Sequence, residues 1–294
     1  MAVCRVNLGY RYQEKVLIDF RDEAEVLTIL GKQFDFPTNY LVLDTETTGF
    51  SPTKDFIIDA GWCVVKNNEI VHQQNLLIDW SKLPTVDHEF IQQQLLRQAT
   101  HYARDGRPHY YPWERLKEEG EHPLQVLHAY AQLIYEHIQH PDSLIIGHGF
   151  WRFDRKMIDS HTQRFLENYT LPWRLNSIFD TGLLEKAAQM NKPPWENESL
   201  DEWLRRVSNA NSKGVKYNME RHCVPKYRLA ERYDIDMRLM HTAGFDCVLI
   251  YHLMNTFHEL VEIINGQRKE LTDTHQNQTG ITQGSGQILQ RPQG

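Results

Sequence analysis

The chain lacks the features that would tie it to a membrane, a disulfide framework or a long duplex. No uninterrupted apolar stretch approaches the ~20 residues that a membrane-crossing helix needs, so no membrane association is expected. The run Met1-Ala2-Val3-Cys4-Arg5 holds no signal-peptide core, and nothing in it argues for export. Cysteine is scarce: Cys4, Cys63, Cys223 and Cys247 lie far apart with no Cys-x-x-Cys pair. Structural zinc and a disulfide scaffold are therefore not expected, and a cytoplasmic, reducing setting is. His222-Cys223 has no partner ligands at useful spacing. Cys63 and Cys247 sit among apolar residues and read as small core fillers. Internal repeats are absent. Positive charge is short as well, with a formal net charge of −7 over 294 residues. Proteins that grip long duplex through many phosphates are usually basic, so a processive duplex wrapper is disfavoured.

What remains is ordinary globular material, 40% apolar and 24% charged, in an amount that allows one large domain or two small ones. Residues 1–38 read as an N-terminal extension, with a short strand at Val16-Leu17-Ile18 and an amphipathic helix from Asp22 to Phe34. Pro37 separates it from an apolar strand that ends at Asp44. Phe56–Val65 and Ile70–Ile78 read as two further strands joined by the turn Lys66-Asn67-Asn68-Glu69. The pattern predicts helices over Glu89–Thr100 and Pro123–Gln139, the latter with Leu124, Leu127, Ala131, Ile134 and Ile138 on one face. Ser143–Ile146 reads as a short buried strand added in parallel, and Phe153–Phe165 as a helix opening at Asp154. Asn176–Thr181 makes a strand edge leading into a helix over Leu183–Met190, and His241–Leu260 is the closing helical region. Val207–Lys226 reads as a loop within a locally basic stretch, 205–238, either a solvated face or an insertion that steers a charged strand. Residues 266–294, rich in Gln, Thr and Gly, read as a disordered polar tail.

The most informative stretch is Tyr40-Leu41-Val42-Leu43-Asp44-Thr45-Glu46-Thr47-Thr48-Gly49. A strand has a side-chain period of two, so Asp44 and Glu46 leave the same face. Like charges held together need a proton or a cation between them, and hard divalent ions such as magnesium take oxygen ligands. Two further patterns follow in the chain. After the apolar Ser143-Leu144-Ile145-Ile146 come Gly147-His148-Gly149-Phe150-Trp151-Arg152-Phe153-Asp154, and later His241-Thr242-Ala243-Gly244-Phe245-Asp246.

Taken in order, the three patterns resemble the motifs of the DEDDh (DnaQ-like) 3′–5′ exonucleases, which have an RNase H-like fold. The second departs from the family, lacking its usual asparagine and running one residue long. The resemblance spans about residues 40–255, and it implies an exonuclease domain over 39–265 with a basic insertion near 205–238. The implied fold is α/β, an RNase H-like mixed sheet flanked by helices. Asp44, Glu46, Asp154 and Asp246 would hold two Mg2+ or Mn2+ ions about 4 Å apart, with Asp44 bridging them. His241 would accept the proton of the attacking water, a role suited to an imidazole with an unperturbed pKa of ~6.5. An acidic protein can still do this, because metal ions bring positive charge to the cleavage point and a short 3′ end needs few contacts.

Each residue also has a plainer reading. Asp44 with Glu46 makes a strand-end ion pair or a turn cap, Asp154 a helix N-cap, Asp246 a surface carboxylate and His241 a structural histidine. Thr47, Thr48 and Gly49 would hold the terminal nucleotide or its phosphate, close a tight turn, or do both. Phe150, Trp151 and Phe153 would stack on a base or fill the core, with Trp151 the best stacker. His109, beside Tyr110 and Tyr111, matches loosely a substrate-contacting position of the family. His148 reads as structural. The expected activity is metal-dependent release of nucleoside 5′-monophosphates from single-stranded 3′ ends, DNA slightly ahead of RNA. An RNA-directed 3′ exoribonuclease and a catalytically weak module binding nucleic-acid ends or a partner are the alternatives. Proofreading beside a polymerase, with the tail as tether, is a partner role that no residue specifies.

Overall fold

The computed structural model describes residues 37–258, apart from 105–108, 141–142, 168, 175–176, 212–240 and 256–257. The expectations for the N-terminal extension, most of the basic stretch and the tail lie outside the described residues.

Five strands form one mixed sheet: β1 (Tyr40–Thr47), β2 (Ile57–Lys66), β3 (Glu69–Leu77), β4 (Leu144–Gly147) and β5 (Ile178–Asp180). Their spatial order is β3-β2-β1-β4-β5. β1, β2 and β3 pair antiparallel, while β4 and β5 continue from β1 in parallel. This is the expected α/β arrangement, an RNase H-like mixed sheet flanked by helices. The β2–β3 hairpin turns through Asn67 and Asn68, both at positive φ (51° and 63°), the conformation that a two-residue turn demands and asparagine tolerates.

Among the described residues, seven α-helices accompany the sheet: α1 (His88–Arg104), α2 (Trp113–Glu119), α3 (Pro123–Gln139), α4 (Asp154–Phe165), α5 (Thr181–Gln189), α6 (Leu200–Asn209) and α7, helical over 243–255. α3 and α4 begin where the sequence places them. α1 runs one turn past Thr100, and α5 starts earlier than Leu183, directly after Asp180. α6 overrules part of the loop reading, because Val207 and Ser208 lie inside it. Its first turn is closed by a reciprocal pair, Ser199 with the N3 residue Glu202, a Ser-x-x-Glu signal visible in the sequence.

Alternation along β1 divides the core. Tyr40 and Val42 enter a layer with Leu183, Trp203, Phe245 and Ile250, from α5, α6 and α7. Leu41 and Leu43 enter the opposite layer with Tyr130, Ile134, Met157 and Ile158, from α3 and α4. The same period then carries Asp44 and Glu46 to the α7 side and Thr45 to the α4 side. No helix among the described residues is long and apolar enough to cross a membrane.

Candidate active site

The three sequence patterns converge at one end of β1. Asp44 and Glu46 are half-buried there, and Asp246, in the first turns of α7, is buried. Gly61, the register partner of Asp44 on β2, permits the close approach of α7. A Cβ at Gly61 would lie 2.2 Å from the Ala243 carbonyl carbon.

Asp154 arrives from the other face. β4 ends at Gly147, and a turn through Gly149 (φ 74°) delivers the chain to α4, whose first residue is Asp154. Its carboxylate is buried, and one oxygen accepts both the Thr45 backbone N–H (3.1 Å) and the Thr45 hydroxyl (2.6 Å). The longer second pattern therefore still brings its aspartate to β1.

The electrostatics show how closely these groups crowd. Burial raises the Asp44 carboxyl well above the usual carboxylate range, and the charges of Asp154, Asp246 and Glu46 push it further. Glu46 is raised by burial, then by Asp246, Asp59 and Asp154. Burial pushes Asp154 to about 7 against the opposing Thr45 hydrogen bonds. A buried group of like charges built only of oxygen donors is a poor structure by itself and a good site for hard divalent cations. Ligand atoms of Glu46, His241 and Asp246 all lie within 4.8 Å of one another.

His241 has a left-handed backbone (φ 65°), uncommon for a non-glycine residue and frequent where function over-determines the chain. Its N–H lies 3.4 Å from an Asp246 oxygen, and its carbonyl accepts the Tyr111 hydroxyl at 3.1 Å. Its ring stacks on Tyr102, with centroids 6.3 Å apart.

The residues expected to meet substrate divide. Thr47 donates its hydroxyl to the Gly49 carbonyl (2.7 Å), and Thr48 donates to Asp55 (3.2 Å) while accepting the Phe56 N–H (3.0 Å). Both hydroxyls thus hold the turn itself. A Cβ at Gly49 would strike the Asp55 carboxylate at 2.6 Å, so the turn requires glycine there. Trp151 is half-buried with the Arg155 guanidinium 5.1 Å from its ring centroid. Phe150 is fully buried and belongs to the core. His109 packs beside Tyr102 at 6.2 Å between ring centroids, and burial lowers its pKa. His148 is half-buried, bonded through Nδ1 to the Thr181 hydroxyl (3.0 Å), and its pKa is pushed down to about 4 by desolvation. From the basic stretch, Arg206 pairs with Glu198 at 2.7 Å and lies over Trp195, while Arg205 reaches Asp201 at 3.5 Å. These two charges are engaged within the protein.

Three residues escape the sequence reading. Phe50, one residue past the turn, is 89% exposed and touches Phe153 edge-on at 5.8 Å. Asp59, opposite Glu46 on β2, is buried; it accepts the Tyr111 hydroxyl (2.7 Å) and the Ala243 N–H (3.1 Å), and burial pushes it up to about 6. Asp180, at the end of β5, is buried among backbone N–H groups. The only advance signal for the two aspartates is a carboxylate inside an apolar strand, as in Ile57-Ile58-Asp59 and Ile178-Phe179-Asp180.

No protein-family model matches the chain, and no curated protein sequence does either. Among solved structures, Escherichia coli exonuclease I in complex with a dT13 oligonucleotide is 15% identical with a TM-score of 0.48, covering 81% of this chain and 43% of that one. Product-bound exonuclease I is 16% identical with a TM-score of 0.48, covering 81% and 48%. The zinc-bound form of the Escherichia coli exonuclease I–single-stranded DNA complex is 14% identical with a TM-score of 0.46, covering 81% and 43%. The chain spans less than half the length of each of these proteins.

Proposed function

We propose that this protein is a divalent-metal-dependent 3′–5′ exonuclease of the DEDDh type, acting on single-stranded ends and releasing nucleoside 5′-monophosphates, with DNA ahead of RNA. The observation that carries the reading is the meeting of Asp44, Glu46, Asp154 and Asp246, from three distant segments, with His241 beside Glu46 and Asp246. The four carboxylates would hold two Mg2+ or Mn2+ ions. When bound, such ions activate a water, relieve charge on the scissile phosphate and assist the leaving 3′ oxygen.

In this reading the chain's own residues do the rest. His241 takes the proton of the attacking water, held in place by its tie to Asp246 and by the Tyr102 ring. Thr45 favours the ionised form of Asp154 against its burial and aims the carboxylate. The Thr47–Gly49 backbone receives the terminal nucleotide, and Phe50 offers an open ring for a base, with Trp151 and His109 at the margins. The buried free thiols of Cys63 and Cys247 accord with a reducing cytoplasm.

The test incubates the protein with 5′-labelled single-stranded DNA and RNA, in Mg2+, Mn2+ or chelator. A metal-dependent ladder shortening from the 3′ end is expected, absent in Asp44→Ala and Asp246→Ala. His241→Ala should still bind metal and should slow the reaction by about 10²–10⁴. The faster substrate sets the DNA or RNA preference. Intact strands in both metals, with a retarded complex, would replace the enzyme by an end-binding module.

A further inference from the structure

Asp180 belongs to none of the three patterns that form the site, yet it is bonded to the backbone of one of them. It is buried at the end of β5, and its two oxygens accept four backbone N–H groups. One oxygen takes Gly182 (2.9 Å) and Leu183 (3.1 Å), which opens α5, and also Gly149 (2.9 Å). The other takes Trp151 (2.8 Å). Gly149 and Trp151 both lie in the turn between β4 and α4, whose next helical residue is Asp154.

Elsewhere the turn is held by the buried Phe150 ring and by the Arg152 guanidinium, which donates to the Ser208 hydroxyl (3.3 Å) and carbonyl. α4 has no side-chain cap of its own: Phe153 occupies the cap position with φ −121° and ψ −76°. Gly149 adopts φ 74°, and the Gly149 carbonyl accepts the N–H groups of Arg152 and Phe153. The ties are close-fitting, since a Cβ at Gly182 would lie 2.8 Å from the Gly149 nitrogen. A carboxylate that accepts four main-chain N–H groups locks the path of the backbone it touches.

We infer that Asp180 is a positioning residue for the metal site: by clamping Gly149 and Trp151 to the start of α5, it sets where α4 begins and hence where Asp154 stands relative to Asp44. This rests on the metal-site reading of Asp154, though not on any nuclease activity. Groups behind a ligand commonly alter metal affinity 10–100-fold.

The experiment measures Mn2+ affinity by titration, with no nucleic acid present, in the wild type, Asp180→Asn, Asp154→Asn and the double variant. Asp180→Asn keeps the side-chain shape and turns an NH2 toward at least one backbone N–H. The expected result is a 10–100-fold weaker Mn2+ affinity in Asp180→Asn, with little further loss when it is added to Asp154→Asn, because the two act as a unit. A folded Asp180→Asn protein with wild-type Mn2+ affinity would overturn the inference. So would an equal loss in both backgrounds, which would mean that Asp180 acts generally rather than through Asp154. Should Asp180→Asn not fold, Gly149→Ala addresses the same turn from the other side: its Cβ meets nothing within 4 Å, so only the positive φ is strained. Weaker Mn2+ binding there supports the clamp, and unchanged binding refutes it. A wild type that binds Mn2+ without cutting strands would remove the nuclease proposal and leave this comparison intact.

Discussion

Thr45 donates twice to the same oxygen of Asp154, once from its backbone and once from its hydroxyl, across 109 residues of sequence. Hydrogen bonds to a carboxylate favour its ionised form, and here they oppose the burial that pushes Asp154 to about 7. Thr45→Val keeps the backbone donor and removes the hydroxyl. The Asp154 carboxyl should then hold its proton more strongly, with Mn2+ affinity at pH 7 falling by about tenfold and recovering as pH is raised. A metal titration at pH 7 and pH 8.5 checks both halves.

Phe50 is the exposed aromatic nearest the carboxylates along the chain. Stacking of a base on such a ring is worth about 1–3 kcal/mol. Phe50→Ala should weaken binding of a short oligonucleotide accordingly while leaving the melting temperature unchanged, because an 89% exposed ring contributes little to the fold. Fluorescence anisotropy beside a thermal melt separates the two effects.

His161 sits in the core, where its Nε2 accepts the Ile57 N–H (3.1 Å) and its Nδ1 donates to the Met157 carbonyl (2.7 Å). Burial pushes it down to about 3, below its ordinary 6.5. Below pH 6.5 the unfolded chain binds this proton and the native protein does not. The stabilisation is therefore complete above 6.5 and is lost as pH falls toward 3. Asp59 and Asp154, both raised, act with the opposite sign between about 4 and 7, equally in both proteins. Urea unfolding between pH 7 and pH 4 should show His161→Gln losing up to about 1.4 kcal/mol less per pH unit than the wild type. Parallel curves would count against it.

Gly61→Ala places a methyl group against the Ala243 carbonyl. The start of α7 must shift, taking His241 and Asp246 with it. Overpacking of this kind costs about 1–3 kcal/mol, and the larger consequence should be at the site. Thermal unfolding and Mn2+ titration together should show a modest stability loss with a larger loss of metal binding.

Much of this arrangement was legible because it follows from local rules. The two-residue period of β1, the Asn67-Asn68 turn and the amphipathic face of α3 each specify their geometry within a few residues. Asp44, Glu46, Asp154, His241 and Asp246 could be named from patterns, and the structure brings these together. What was hidden depends on partners far along the chain. Asp59 and Asp180 look like interruptions of apolar strands until the N–H groups of Ala243, Gly149 and Trp151 arrive beside them. The exposure of Phe50 and the engagement of the Thr47 and Thr48 hydroxyls are likewise properties of the folded surface. The Ser199–Glu202 cap was in plain view, yet the polar residues after Val207 drew the loop boundary too early.

The contact between the Cys247 thiol and the Val42 carbonyl joins residues 205 positions apart, and α7 is the last described helix to be laid against the sheet. During synthesis Asp246 leaves the ribosome long after Asp44, Glu46 and Asp154. Between residues 154 and 240 a growing chain carries three of the four carboxylates and no His241. On the proposed function, the site is thus incomplete until the last described helix has been made, and hydrolysis switches on in one step rather than by degrees.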